Sequence, residues 1–296
     1  MVPQFADRYG RQKEAQLWRV NVEGTRNVLA ASKAAGVKAL VYTSSIAVLF
    51  DDLSRDFLNV DETVPVADHS LVYGESKAAA EKLVLAASSP SLLTCALRPS
   101  MILGPGDPST IPPFHGCIAR GETPWAIGSG DNLCDFTYVD NVADAHVLAG
   151  EKLLSALSSS SDHTTIINSS TTSDTEFPAG DATHVNPLAG EAIYITNGQP
   201  IAFRTFCLAI WAEFGHVPAF QVRIPEGLAS VLGLVSEWWT WLTRSSSALN
   251  RGSVRDACAT RYADISKARR LLGYQPRVDL VDGAYKEQLG QQEEEP

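Results

Sequence analysis

The chain has no C-x-x-C pair and no histidine pair at metal-ligand spacing, which removes the usual signatures of a zinc site or a thiol redox centre. Its five cysteines (Cys95, Cys117, Cys134, Cys207, Cys258) are odd in number and scattered, so they read as reduced thiols of a reducing compartment rather than a disulfide framework. Positive charge is scarce. Lys and Arg total 24 against 34 Asp and Glu, and the resulting net charge of −10 argues against nucleic acid as a partner. The opening stretch "MVPQFADRYGRQKEAQ" has no apolar core and is no signal peptide. No internal repeat is visible. No apolar run reaches the ~20 residues of a spanning helix; the most hydrophobic one, Gly227 to Leu242, is interrupted by Glu237.

A hydrophobic content of 45% over 296 residues suits one large globular domain, or a domain with a smaller lobe. Residues 14–35 read as a helix stopped by Gly36. Two largely apolar runs, "VKALVYTSS" and "SLLTCALRPSMILG", have the character of buried parallel strands. Between them a polar loop (51–70) leads into a helix from about Tyr73 to Ala87. "EAIYITNG" (191–198) is a third strand and "FRTFCLAIWAEFG" an amphipathic helix. Strand, helix, strand is the order of a parallel α/β sheet, with strands expected near 39–45, 92–99 and 191–197. Asp140 is placed to cap a helix beginning near Asn141. The Ser-, Thr- and Asp-rich stretch from Ser155 to Ala189 reads as a flexible surface insertion, and the tail as two short helices around the turn at Gly273 to Pro276. In outline, residues 1–150 form a Rossmann-like part, 151–190 the insertion, and 191–296 the last sheet strand with a C-terminal substrate lobe.

Within "SLVYGESKAAAEKLVL", Tyr73 and Lys77 stand four residues apart, which on a helix puts both side chains on one face. A lone Y-x-x-x-K arises often by chance and usually marks a solvated face. Here it has company, because Ser45 arrives at the C-terminal end of a predicted parallel strand, where α/β sheets place ligands. In such a set the lysine charge lowers the tyrosine pKa and the serine holds a substrate oxygen. For Gly227 to Leu242 two readings stand. Leu228, Val231, Leu232, Val235, Trp239 and Leu242 recur at helical spacing, and Trp238, Trp239 and Trp241 followed by Arg244 suit a membrane surface; a helix packed over a substrate pocket fits equally well.

"VNVEGTRNVL", "YTSSIAV", "YGESKAAAEKLVL", "LRPSMILGPGDP" and "DFTYVDNVADAHVLA" follow one another as in the extended short-chain dehydrogenases/reductases, and the chain resembles their 3β-hydroxysteroid dehydrogenase branch. "ITNGQPIAF", "RIPEGLA" and "LLGYQP" narrow the resemblance to the sterol-4α-carboxylate 3-dehydrogenases (decarboxylating). The resemblance implies Tyr73 as general acid/base, Lys77 on the nicotinamide ribose, and Ser45 on the reacting oxygen, with Ser44 its stand-in. It implies that Pro99 and Ser100 contact the nicotinamide through backbone groups, and that Asn21 matches a proton-relay asparagine; read from the residues alone, Asn21 is a polar residue of a helix N-terminus. It further implies NAD or NADP as cofactor, a sterol or triterpenoid substrate, oxidation at C3 with loss of CO₂, and the cytosolic face of the endoplasmic reticulum membrane. A homodimer stays open.

Family members begin with a strand, a G-x-x-G-x-x-G turn and a helix whose N-terminus holds the pyrophosphate. No such turn occurs in these 296 residues. The expectation is therefore a partial Rossmann-type parallel sheet without its N-terminal strands, an apolar edge beside "ALVYTSS", and little activity from the chain by itself. Two other readings compete. A nucleotide-sugar epimerase or dehydratase commonly carries an arginine before the Asp-Phe/Tyr pair, where Cys134 stands here. A non-catalytic lipid-binding relative would need no glycine turn.

Overall fold

Three short, largely apolar runs, each bounded by polar or turn residues, become the central sheet. The computed structural model describes residues 11–51, 55–68, 71–107, 109–162, 186–243 and 251–280. Helix α1 (Arg11–Trp18) passes through a π-turn (Arg19–Glu23) into α2 (Gly24–Ala34), which ends where Gly36 adopts a φ of 68° that costs glycine little. Strand β1 (Ala39–Thr43) follows, then a 3-10 turn (Ile46–Leu49), β2 (Phe57–Val60) and α3 (Val72–Ala86). Next come β3 (Leu93–Pro99), β4 (Met101–Leu103), α4 (Ile111–Ala119), β5 (Trp125–Ile127), β6 (Leu133–Cys134), β7 (Phe136–Tyr138) and the long α5 (Val139–Asp162). The remainder is β8 (Ala192–Ile195), β9 (Ile201–Ala202), α6 (Phe203–Glu213), β10 (Val222–Ile224), α7 (Glu226–Thr243), α8 (Arg251–Cys258), β11 (Arg261–Ala263) and α9 (Ser266–Leu272).

The central sheet is parallel, as expected, and its strand order is β1-β3-β8; Val41 lies opposite Cys95 and Leu97 opposite Ile193. Strand β3 is buried at every position because helices cover both faces. Side chains alternate accordingly. Leu93, Cys95 and Leu97 pack with Ala145, Ala149 and Leu153 of α5 and with α9, while Leu40 and Tyr42 turn to Leu29 of α2 and Val84 of α3. Strand β1 is the edge, hydrogen-bonded to β3 on one side, and no described strand pairs with its other side. A second apolar cluster, in which Phe136 and Phe206 stack at 3.8 Å, joins α4 and α6 beside the small strands.

The structure departs from the expectations in three places. Residues read as a polar loop contain β2, which pairs with β11; its partner lies some two hundred residues away, so no local pattern announces it. Helix α5 begins at Val139, with Asp140 inside its first turn rather than capping it. The expected insertion is structured at both ends. α5 continues to Asp162, and Asn186 Nδ2 donates to the Lys152 carbonyl at 3.1 Å while Leu188 is buried; residues 163–185 lie outside the described residues. Of the two tail helices, α9 forms, and the expected second one falls mostly on residues 281–296, which lie outside the described residues.

Candidate active site

Strand β1 ends at Thr43, and the chain then turns under the helix that carries the Tyr-Lys pair. Lys77 Nζ donates to the Thr43 carbonyl at 2.9 Å, and lies 5.2 Å from the Tyr42 ring centroid and 6.0 Å from that of Tyr73. Burial lowers the Lys77 pKa. No carboxylate pairs with it among the described residues. Thr43 is itself held, because its hydroxyl bonds His146 Nε2 at 2.7 Å while Nδ1 faces the Val142 carbonyl at 2.7 Å. A carbonyl only accepts, so Nδ1 is the donor in its contact with Val142.

Ser45 opens the 3-10 turn, its Oγ accepting from Ala47 N at 3.1 Å, and Ile46 to Phe50 of that turn pack with Tyr73. The structure thus brings Ser45, Tyr73 and Lys77 to the same end of the sheet. Ser44 is placed differently. Its side chain is buried (2% exposed), and among the described residues Oγ has no hydrogen-bond partner. Pro99 ends β3, and Ser100 is fully committed: its N–H donates to the Ile195 carbonyl at 3.2 Å and its hydroxyl bonds Thr137 Oγ1 at 2.7 Å. Carbonyls, not donors, are what this corner offers.

Two positioning contacts escaped sequence reasoning, although Asn21 itself was singled out there. Asn21 sits in the π-turn, where its Nδ2 donates to Ser76 Oγ at 2.9 Å and its carbonyl accepts from Thr25 Oγ1 at 2.6 Å. It is therefore a clamp on α3 rather than a helix-start residue. Arg98 donates twice to Glu81, at 2.6 and 3.0 Å, and once to the Tyr194 hydroxyl at 3.1 Å, pinning α3 to the sheet from below. The signal was present: an arginine inside an otherwise apolar strand, "CALRP", announces a buried partner.

A nicotinamide-ribose end fits what this structure holds. Lys77 keeps two N–H donors beyond the one given to Thr43, and the Tyr42 ring lies alongside it. An open cleft of about 350 Å³, lined by Asn21, Thr25, Tyr42, Thr43 and Lys77, runs along the free edge of β1. No G-x-x-G-x-x-G turn for the diphosphate end occurs in these 296 residues.

Comparison with known proteins converges on one family. The model of the 3-beta hydroxysteroid dehydrogenase/isomerase family matches residues 2–177. The sterol-4-alpha-carboxylate 3-dehydrogenase, decarboxylating, of Schizosaccharomyces pombe is 40% identical over 268 residues, covering 90% of this chain and 70% of the relative. The Saccharomyces cerevisiae enzyme of the same name is 37% identical over 270 residues, covering 90% and 69%. In fold, the UDP-glucose 4-epimerase of Thermotoga maritima superposes with a TM-score of 0.62 at 19% identity, covering 95% of this chain and 72% of that one. The chain belongs to the 3-beta hydroxysteroid dehydrogenase/isomerase family.

Proposed function

We propose that the chain oxidises the 3β-hydroxyl of a sterol or triterpenoid 4α-carboxylate with NAD or NADP, and that CO₂ leaves from C4. The observation that carries this reading is Lys77 anchored on the Thr43 carbonyl, one helical turn from Tyr73, at the C-terminal edge of a parallel sheet. The relatives supply the substrate class.

In this reading Tyr73 takes the proton of the substrate hydroxyl, and the Lys77 charge favours the phenolate that can take it. Ser45 Oγ accepts from Ala47 N, so its own O–H is free to donate to the substrate oxygen. Lys77 would also hold the nicotinamide ribose, and Ser44, Pro99 and Ser100 would line the nicotinamide end. The bound nicotinamide supplies the hydride acceptor for C3. Once C3 is a ketone the carboxylate is β to a carbonyl, the electrons of the broken C–C bond move onto that oxygen, and the proton held by Tyr73 returns to it. Decarboxylation needs no further group.

Nicotinamide mononucleotide tests the half-site without calling on a diphosphate cradle: ligand NMR should show binding to the wild type that weakens about tenfold in Lys77→Ala. Turnover of a 4α-carboxy-3β-hydroxysterol is then measured in the chain alone and with a G-x-x-G-x-x-G βαβ segment joined ahead of it. The joined protein should be much the faster, and in it Tyr73→Phe should lower the rate about 10²- to 10⁴-fold while nucleotide binding holds. Unaltered turnover in Tyr73→Phe would end the assignment. The non-catalytic lipid-binding alternative draws on the missing glycine turn, and nucleotide binding by the wild type would sink it.

The same reading extends to a lipid surface, with the enzyme working at the cytosolic face of the endoplasmic reticulum membrane. No helix among the described residues is long and apolar enough to cross a membrane. Helix α7 nonetheless exposes Leu228, Val231, Leu232, Val235 and Trp238 (62% exposed), an apolar face suited to lying in the interface. Liposome flotation should recover the wild type with the vesicles, and a Val231→Ser/Val235→Ser/Trp238→Ser variant should stay behind. Equal recovery of the two would remove the lipid-surface role.

A further inference from the structure

Away from the Tyr73–Lys77 site, a buried arginine lacks a carboxylate partner among the described residues. Arg204, the second residue of α6, is only 8% exposed. Its Nη2 donates to the Thr123 carbonyl at 2.8 Å, its Nε reaches Gln221 Oε1 at 3.4 Å, and its guanidinium lies 5.1 Å from the Trp211 ring centroid. Among the described residues Nη1 has no hydrogen-bond partner and no carboxylate pairs with the group. Burial lowers its pKa, the Cys207 thiol acts the other way, and Arg223, a second cation that is exposed and 3.6 Å from Asp131, lowers it further.

The surroundings make this position costlier still. Arg204 lies in the first turn of an 11-residue helix, where the backbone dipole is positive. That backbone is fixed: the N–H groups of Phe203 and Arg204 donate to the carbonyls of Asn132 and Gly130 at 2.9 and 3.1 Å. Gly130 has φ 76°, and a Cβ there would stand 2.8 Å from Arg204 Cβ, so the close approach requires glycine. Carbonyl acceptors satisfy hydrogen bonds but do not neutralise a charge, and arginine cannot shed its proton.

Arg204 lines a cavity of about 60 Å³ whose other walls are largely apolar, among them Cys117, Ile127, Phe203, Cys207 and Trp211. That volume holds a few water-sized groups. Trp125 also lines it, is half exposed, and meets exposed Phe220 edge-on at 6.4 Å, so the rim is aromatic. A cation in the wall, an apolar lining and an aromatic rim are complementary to one kind of molecule.

We propose that this cavity binds the carboxylate of an apolar, fatty-acid-like ligand, its head on Arg204 and its chain running out over Trp125 and Phe220. A single guanidinium with one free N–H edge suits a carboxylate better than a phosphate dianion, which needs more donors. The proposal does not depend on the dehydrogenase reading.

Decanoate, kept below its micelle concentration, is the probe, with decanol and decyltrimethylammonium as controls of equal chain length, followed by calorimetry without substrate or nicotinamide. Decanoate should bind about tenfold or more tighter than decanol, and Arg204→Met should abolish that preference. Ala257→Leu fills the cavity while keeping Arg204 and its contacts, and should weaken decanoate likewise; it decides the matter if Arg204→Met loses its native circular dichroism. Equal affinity of the wild type for decanoate and decanol would reduce Arg204 to a strut and overturn the proposal. Undiminished decanoate binding in the folded variants would overturn it too, by locating the ligand elsewhere. Neither result bears on turnover at Tyr73.

Discussion

Arg98 and Arg204 are the same residue set into two interiors in opposite ways. Both are nearly inaccessible, at 4% and 8% exposure, and both stack on an aromatic ring, Tyr194 at 5.3 Å and Trp211 at 5.1 Å. Arg98 faces a buried carboxylate through two hydrogen bonds, whereas Arg204 is given a carbonyl and an amide. Only the first arrangement is complete electrostatically. A planar fork met by a carboxylate closes its charge within the fold and serves architecture, here the seat of the helix bearing Tyr73 and Lys77. A fork left with neutral acceptors beside a cavity keeps its charge available.

The difference is sharpest when one partner is removed. Glu81→Gln should destabilise the protein by about 3–5 kcal/mol, because Arg98 would remain buried without an anion. Arg204→Met should cost far less, about 1 kcal/mol, since the lost hydrogen bonds are offset by relief of an uncompensated charge. Urea denaturation of both variants checks the order. Equal losses would mean that the two arginines are alike after all.

Asp135 provides the smaller, complementary test, because a buried carboxylate can neutralise itself. Its Oδ2 accepts from Ala263 N at 2.7 Å, its Oδ1 has no partner, and burial pushes its pKa up to about 7 from the ordinary 3.8. Between these values the unfolded chain has released the proton and the folded chain keeps it, so stability falls as pH rises through that window. The stability of the wild type minus that of Asp135→Asn should therefore fall from pH ~4 to pH ~7 and level off above. Parallel pH profiles would show that Asp135 is ionised throughout.

These buried charges also mark where the sequence stopped being legible. The three parallel strands were readable because β3 and its neighbours are buried on both faces and so appear as unbroken apolar runs. The Tyr73 to Lys77 helix was readable because its spacing is local. Strand β2, the clamp from Asn21 to Ser76 and the Arg98–Glu81 pair each join residues distant in the chain, and nothing at either end names the other. Arg204 was hidden for a related reason. In "FRTFCLAIWAEFG" it is merely the polar residue of an amphipathic helix, and only packing against Thr123, Gln221 and Trp211 makes it buried.

The π-turn between α1 and α2 has a consequence for how this protein can vary. An α-helix advances about 100° per residue, so the extra residue in Arg19–Glu23 sets the rotational phase of everything before it against everything after it. Removing one codon there would leave a smoother helix, locally more regular than the original. It would also swing Trp18, which lines a cleft with Glu81 and Arg98, away from α3 while Leu29 stayed in its core. Point changes along this segment keep the phase, so a lineage can drift in residue identity here while single-residue deletions are purged.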